Sequence, residues 1–342
     1  MRDAASSAVV CSRRQHLQGW AALLGWAGLG PGGALAQGRG PWPQRPVDVV
    51  VPYPAGGISS RLAKTVANAL GKHVPQPVRL AYRPGGAGAV GGQWVAHKEA
   101  HTERLLLGGS HLPIARALQP EGRFDFVLQL DPLLLLTRIP MVVLVQPARL
   151  KARYAPELLI ELARKPARYR MATGGIGSAS YLAAEMLRYY AKAQVEMLHF
   201  RGGGPAQQEL LAGTADVMVD SLLAALPHIR SGRLKAVMLM GNQRDTTQPD
   251  VPCATELGLP ELQMDNWYGL FARRGLPPAQ RAQLMDRLMA MAKDPEFVAE
   301  WGVVWSGLQG EALQNLMLQD VRQWRERVQT LGLPTMPAEW GE

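Results

Sequence analysis

The 342-residue chain is 47% hydrophobic and carries a formal net charge of +9. That length allows about two domains with cores of their own. The basic residues are scattered, with no basic stripe interleaved with aromatics, so nucleic acid is not an expected partner. Past the amino terminus no stretch reaches about 18 unbroken apolar residues, so no membrane span is expected and a soluble protein is.

Residues 1–36 read as an export signal rather than as fold. Arg13 and Arg14 precede the apolar run GWAALLGWAGLG, and Ala34-Leu35-Ala36 has the form of a cleavage site. SRRQHL is similar to a twin-arginine motif, with His16 where an apolar residue is usual, so both Sec and twin-arginine export stay open. Cys11 lies before the apolar run and cannot be a lipoprotein cysteine. Once the segment is cleaved, Cys253 is the sole cysteine, so no intrachain disulfide can form and the core must hold the fold. The expected location is the periplasm.

Short strand-like runs then alternate with amphipathic segments. VDVVVPY (47–53) reads as a strand, and Leu62, Val66, Ala69 and Leu70 recur at helical spacing behind a cap at Ser59 or Ser60. VRLAY (78–82), RLLLGGS (104–110) and MVVLVQP (141–147) read as strands. So do residues 169–173, QVEMLHF (194–200), DVMVDS (216–221), KAVMLMG (235–241) and WYGLFA (267–272). A helix with Leu182, Met186 and Tyr189 on one face follows the fifth run, and another, closed by Gly213, follows the sixth. Two long helices end the chain, the last with a stripe of Leu313, Met317, Val321, Trp324, Val328 and Leu331. The alternation predicts α/β layers with mostly parallel sheets. Cys253 is expected to be a small buried side chain.

Four glycine-rich turns share one position, between a strand and the next helix: 54–57, 84–88, 174–178 and 202–205. Ligands of open α/β sheets bind at the carboxyl ends of strands, where helix starts offer unpaired N–H groups and a positive dipole end. Glycine removes the Cβ that would keep a ligand off the backbone. Hydroxyls at Ser59, Ser60, Ser110, Ser178 and Ser180 could add donors. The set suits a small anion held by neutral dipoles; the plain alternative is that the glycines are only tight turns. Gly86-Ala87-Gly88-Ala89-Val90-Gly91 matches a dinucleotide-binding pattern, but it follows the second strand, and Glu99 and Glu103 come too early for the ribose carboxylate. There is no Walker lysine and no nucleophile elbow, and the histidines show no metal-ligand spacing. No catalytic group, cofactor or metal is expected.

RPVDVVVPYPAGG, VRLAYRPGGAGAVGG, LLLGGS, ATGGIGSASYLAAEML, HFRGGGPAQQELLAGTADVMVDSLLAALPHIRSGRLKAV, DVPCATELGLPEL and WYGLFA follow in order. This series, over roughly residues 45–335, resembles the extracytoplasmic solute receptors of tripartite tricarboxylate transporters, the Bug receptors. The resemblance implies a two-lobed periplasmic binding protein of type II, each lobe a mostly parallel sheet flanked by helices. Lobe 1 would be 37–140 plus 265–342, and lobe 2 would be 141–264. It further implies a monomer that binds a small carboxylate between the lobes and works with integral-membrane transporter subunits. Carried onto this chain, the ligand-binding candidates are Tyr53, Gly56, Gly57, Ser60, Gly88, Ser110, Ser178, Ser180, Gly203 and Asp220. Four features depart from the family pattern. Ser60 stands where an aspartate is usual, Ala100-His101-Thr102-Glu103 stands where an Asp-Gly often precedes the third strand, Ser180-Tyr181 replaces a Thr-His pair, and residues 111–136 follow the pattern poorly. Loss of a negative charge at Ser60 would disfavour amine-bearing ligands. A ligand sensor for a signalling system and an exported nucleotide-dependent enzyme using the Gly86–Gly91 turn are the competing readings.

Overall fold

The computed structural model describes residues 42–97, 101–120, 122, 124–301 and 308–337. The expected export segment lies outside them, as does Glu99. In chain order the elements are β1 (Val47–Val51), α1 (Gly57–Gly71), β2 (Val78–Tyr82), α2 (Ala89–Ala96), β3 (Glu103–Gly109), α3 (His111–Leu118), α4 (Phe126–Gln129) and β4 (Leu130–Val145). Then come α5 (Ala155–Arg164), β5 (Arg170–Thr173), α6 (Ala179–Tyr190), β6 (Glu196–His199), α7 (Gly203–Ala212), β7 (Val217–Ser221), α8 (Leu222–Arg230) and β8 (Lys235–Leu239). β9 (Asp265–Arg273), α9 (Pro278–Ala292), α10 (Pro295–Trp301) and α11 (Gly310–Thr330) complete the chain.

The strands form one continuous sheet in the order β2-β1-β3-β9-β4-β7-β5-β6, with β8 also on β4. The outer pairs are parallel: β1 with β2 and β3, and β5 with β6 and β7. The pairs around β4 and β9 are antiparallel. The sheet is therefore mixed, and the antiparallel pairs lie where the chain crosses from one half to the other. Pro140 still pairs with Asp265 of β9, and Met141 already pairs with Ser221 of β7. One strand thus belongs to two half-sheets.

Only the second part of β4 is visible as a strand in the sequence. Its first part, LDPLLLLTRIP, is buried on both faces, so it shows no period-two alternation. It also carries Pro132 and Pro140, which cannot donate to a ladder. Pro132 sits beside a register shift, and Pro140 takes the last pair with β9.

Each half-sheet is covered on both sides. In the first half, α1, α9 and α10 pack on one face through Leu62, Val66, Leu288 and Trp301. On the other, Val95 and Phe126 meet Trp267 and Phe271 of β9. In the second half, α5 and α6 cover one face, and Leu210, Leu222 and buried Cys253 fill the other. The predicted stripe of α11 is buried throughout and is shared. Leu313, Met317 and Val321 join the first half's core, and Trp324, Val328 and Leu331 join the second's. Among the described residues three helices, not two, follow β9, because Asp294 interrupts the run and caps a new one by accepting from Glu296 N and Phe297 N. On α6, Leu182 and Met186 are buried, but Tyr189 is exposed, stacked edge-on against Tyr190.

Candidate functional site

The carboxyl ends of β1, β3, β5, β6 and β7 open on one cavity of about 730 Å³, a figure that includes its open mouth. This volume falls within the ~300–1,000 Å³ usual for small-molecule sites. The β1–α1 turn supplies Tyr53, Gly56 and Gly57, and the start of α3 supplies His111. The β5–α6 turn supplies Ser178 and Ser180, and the β6–α7 turn supplies Arg201 to Gly204. Asp220 and Ser221 close the floor from β7, with Asn266 and Tyr268 from β9.

The starts of α1 and α7 come together at the edge of this space, backbone against backbone. A Cβ placed on Gly204 would lie 3.2 Å from Gly57 N, and one on Gly57 would lie 3.4 Å from Gly204 N. Neither helix has a side-chain cap; Gly56 and Gly202 stand at the cap positions with φ of 97° and 111°. That backbone is cheap only for glycine. Two sets of first-turn N–H groups, each at a positive dipole end, therefore border the cavity without a capping oxygen. The cap expected at Ser59 or Ser60 is not formed.

The start of α6 is built differently. Ser178 Oγ donates to Gly175 O at 2.6 Å and accepts from Tyr181 N at 3.1 Å. Ser180 Oγ accepts from Gly174 N at 2.6 Å. These hydroxyls shape their own turn: with its proton on Gly175 O, Ser178 Oγ also accepts from Ser180 Oγ at 3.3 Å.

A polar network runs under the floor. Ser59 Oγ and Asn266 Nδ2 both donate to Tyr268 Oη, at 3.4 and 3.0 Å, and Asn266 Nδ2 also reaches Ser221 Oγ at 3.2 Å. With its oxygen accepting twice, Tyr268 has its own proton left to donate into the cavity. Burial raises the pKa of Tyr268 and, together with the Tyr268 charge, that of Tyr53, so both phenols stay neutral donors. Asp220 is buried; Oδ1 accepts from Ser221 N at 2.8 Å and Oδ2 from Gln207 Nε2 at 3.2 Å. Burial pushes its carboxyl up to about 7 against the weaker opposing pull of the Ser221 amide. His111 stands edge-on to Tyr53, with ring centroids 5.3 Å apart. Burial pushes it down to about 3, which makes it a neutral ring, and its Nε2 has no hydrogen-bond partner. Arg201 is the permanent cation of the lining and is exposed.

Seven of the ten predicted site residues line the cavity: Tyr53, Gly56, Gly57, Ser178, Ser180, Gly203 and Asp220. Three do not. Ser60 Oγ bonds Tyr82 Oη at 2.6 Å, tying α1 to β2 away from the cavity, so the charge argument built on Ser60 loses its geometric basis. Ser110 is fully buried and exchanges two hydrogen bonds with the Trp267 backbone, at 2.8 and 3.1 Å, pinning β3 to β9. Gly88 lies behind His111, where a Cβ would come within 2.7 Å of the imidazole. The residues missed are His111, Gln207, Asn266 and Tyr268. His111 was hidden in the stretch that follows the family pattern poorly, and Asn266 and Tyr268 belong to a strand that reads as plain core. The Gly86–Gly91 turn gives no phosphate cradle: Gly88 is filled over by His111, and Gly91 packs against Pro52 and Arg83 O. Among the described residues no group of three or more His, Cys, Asp or Glu side chains could hold a metal ion.

The profile of the tripartite tricarboxylate transporter family receptors matches residues 62–333. BugT of Bordetella pertussis is 31% identical over 239 residues, which cover 69% of this chain and 73% of BugT. The structure of the periplasmic binding protein BugD is similar with a TM-score of 0.80 and 26% identity, covering 86% of this chain and all of that one. MatC of Rhodopseudomonas palustris, solved with bound malate, is similar with a TM-score of 0.78 and 28% identity over 84% of this chain and all of MatC. The chain thus has the fold of a two-lobed periplasmic binding protein and belongs to the tripartite tricarboxylate transporter receptor family.

Proposed function

We propose that this chain is a non-catalytic receptor that captures a small carboxylate between its lobes and delivers it to the membrane subunits of a tripartite tricarboxylate transporter. The observation that carries the reading is the facing pair of uncapped helix starts at Gly57 and Gly204. Backbone N–H groups from two lobes converge there on a space without a capping side chain, which is the arrangement a carboxylate satisfies. The ligand's first carboxylate would sit on the Gly56-Gly57 turn, with Tyr53 beside it. Ser178, Ser180, Gly203 and Asp220 would close on the remainder from the other lobe. Gly88 and Ser110 act in support, holding His111 and β9 in place. MatC, with its malate, favours a dicarboxylate of similar size.

In this reading residues 1–36 are cleaved on export to the periplasm. Lobe 1 comprises 37–140 and 265–342, lobe 2 comprises 141–264, and the receptor is a monomer. A thermal-shift screen of the chain without residues 1–36 tests it, using malate, adipate, amino acids and nucleotides. A ligand that binds only the folded state raises Tm with its concentration. A rise with a dicarboxylate is expected. A response to a dinucleotide with none to carboxylates would overturn the reading in favour of the enzyme.

A further inference from the structure

We propose that Asp220 is protonated in the bound complex, so that the receptor takes up a proton together with its carboxylate ligand. The proposal rests on the receptor reading above and concerns how that same cleft treats charge.

The geometry carries it. Asp220 ends β7 at the cavity floor and is 6% exposed. Each of its oxygens has a single donor, Ser221 N for one and the Gln207 amide for the other. The start of α7 stands over it: a Cβ placed on Gly203 would lie 3.3 Å from Oδ1. No lysine or arginine among the described residues is paired with it. A buried carboxylate with two neutral donors and no cation is poorly compensated. Its ordinary partner would be a ligand cation or a proton.

No surrounding side chain supplies a formal counter-charge, and the start of α7 adds only the partial positive end of a helix dipole. From β4 come Met141 and Val142, both apolar, the latter directly paired with Asp220. From β9 comes the neutral phenol of Tyr268, and from α6 the hydroxyls of Ser178 and Ser180. α7 offers Gln207, and α8 presents Ala224 to the cavity. Across the space stand neutral Tyr53 and neutral His111, and Arg201 is exposed. Burial alone holds the free carboxyl near neutrality, at about 7. A ligand carboxylate arriving in the same cavity adds a like charge and pushes it higher, as in carboxyl pairs that share one proton. Solvent supplies the proton through the open mouth. The protonated acid then donates a hydrogen bond to the ligand oxygen, turning a repulsion into a contact.

The sign follows. Below about pH 7 the free receptor already holds the proton, and affinity for a fully ionised dicarboxylate is flat. Above it, each binding event takes up a proton and affinity falls about tenfold per pH unit. A ligand that offered an ammonium to Asp220 would show the opposite sign, because it needs the ionised form.

Calorimetry with malate and adipate in two buffers of different ionisation enthalpy, from about pH 6.5 to 8.5, reads the proton directly. The wild-type receptor is expected to take up close to one proton per ligand at the alkaline end, with affinity falling there about tenfold per pH unit. Asp220→Asn is expected to bind with no proton uptake and a flat profile, and so more tightly than wild type at the alkaline end. Binding without proton uptake by wild type overturns the proposal. So does a folded Asp220→Asn variant that loses binding at every pH, which would mean that Asp220 works as an anion. Failure of every carboxylate to bind defeats the receptor reading separately. In that case carboxyl-carbon NMR of the free protein decides, with Asp220 assigned by its loss in Asp220→Asn: a midpoint near 7 supports a proton-holding acid, and one below about 5 overturns it.

Discussion

Glycine does two different things in this cleft. Gly57 and Gly204 keep the backbone of two helix starts bare, and Gly88 makes room for a ring. Gly204→Ala would put a methyl group 3.2 Å from Gly57 N, forcing apart the two helix starts that border the ligand space. Because no positive φ is recorded at Gly204, it should fold with Tm near wild type and lose carboxylate affinity by tenfold or more, read by calorimetry. Gly88→Ala meets both a φ of 98° and the His111 ring. It should cost about 1–3 kcal/mol of stability, seen as a lower denaturant midpoint. Ser60→Asp, by contrast, should leave the ranking of carboxylates over amino acids unchanged, since Ser60 faces Tyr82 outside the cavity. Asp220 also links stability to pH. Its folded value is raised from 3.8 to about 7, so the unfolded chain releases this proton first as pH rises. Its contribution to stability is therefore greatest below about pH 4, is lost between there and about pH 7, and stays lost above. Asp220→Asn should flatten that part of the curve of unfolding free energy against pH.

At the scale of elements, the strands β2, β5, β6, β7 and β8 were legible because short apolar runs were bounded by turn residues. The glycine turns were legible as a site because all four follow strands. What the sequence hid was hidden for physical reasons. The first part of β4 is buried on both faces and interrupted by prolines, so neither alternation nor propensity marks it. Ser110 and Ser178 look alike as hydroxyls beside glycine, yet one is bonded to a neighbouring strand and the other faces the cavity; that distinction depends on partners 157 residues away for Ser110 and 3 for Ser178. Removing the hydroxyl in Ser110→Ala would leave the buried Trp267 N–H without its acceptor. A loss of about 1–3 kcal/mol is expected on chemical denaturation, with the carboxylate affinity of the folded protein kept.

At the scale of the whole molecule, β4, β9, α3 and α11 are among the described elements that join the halves. The helix α11 buries Met317 in one core and Trp324 in the other. Trp324→Ala should therefore cost about 3–5 kcal/mol and lower the single melting transition of the molecule, rather than split off one lobe. The network from Ser59 through Tyr268 and Asn266 to Ser221 likewise runs from one half to the other, directly beneath the cavity. A ligand seated above it touches both lobes at once, which is how binding energy could hold them together.

The most direct test of the account is to follow the backbone amides of Gly57, Gly203 and Gly204 by NMR during a malate titration. The account predicts that these amides, from two lobes, shift together along one saturating curve. Shifts confined to other surfaces, with Gly57 and Gly204 unmoved while malate binds, would contradict it.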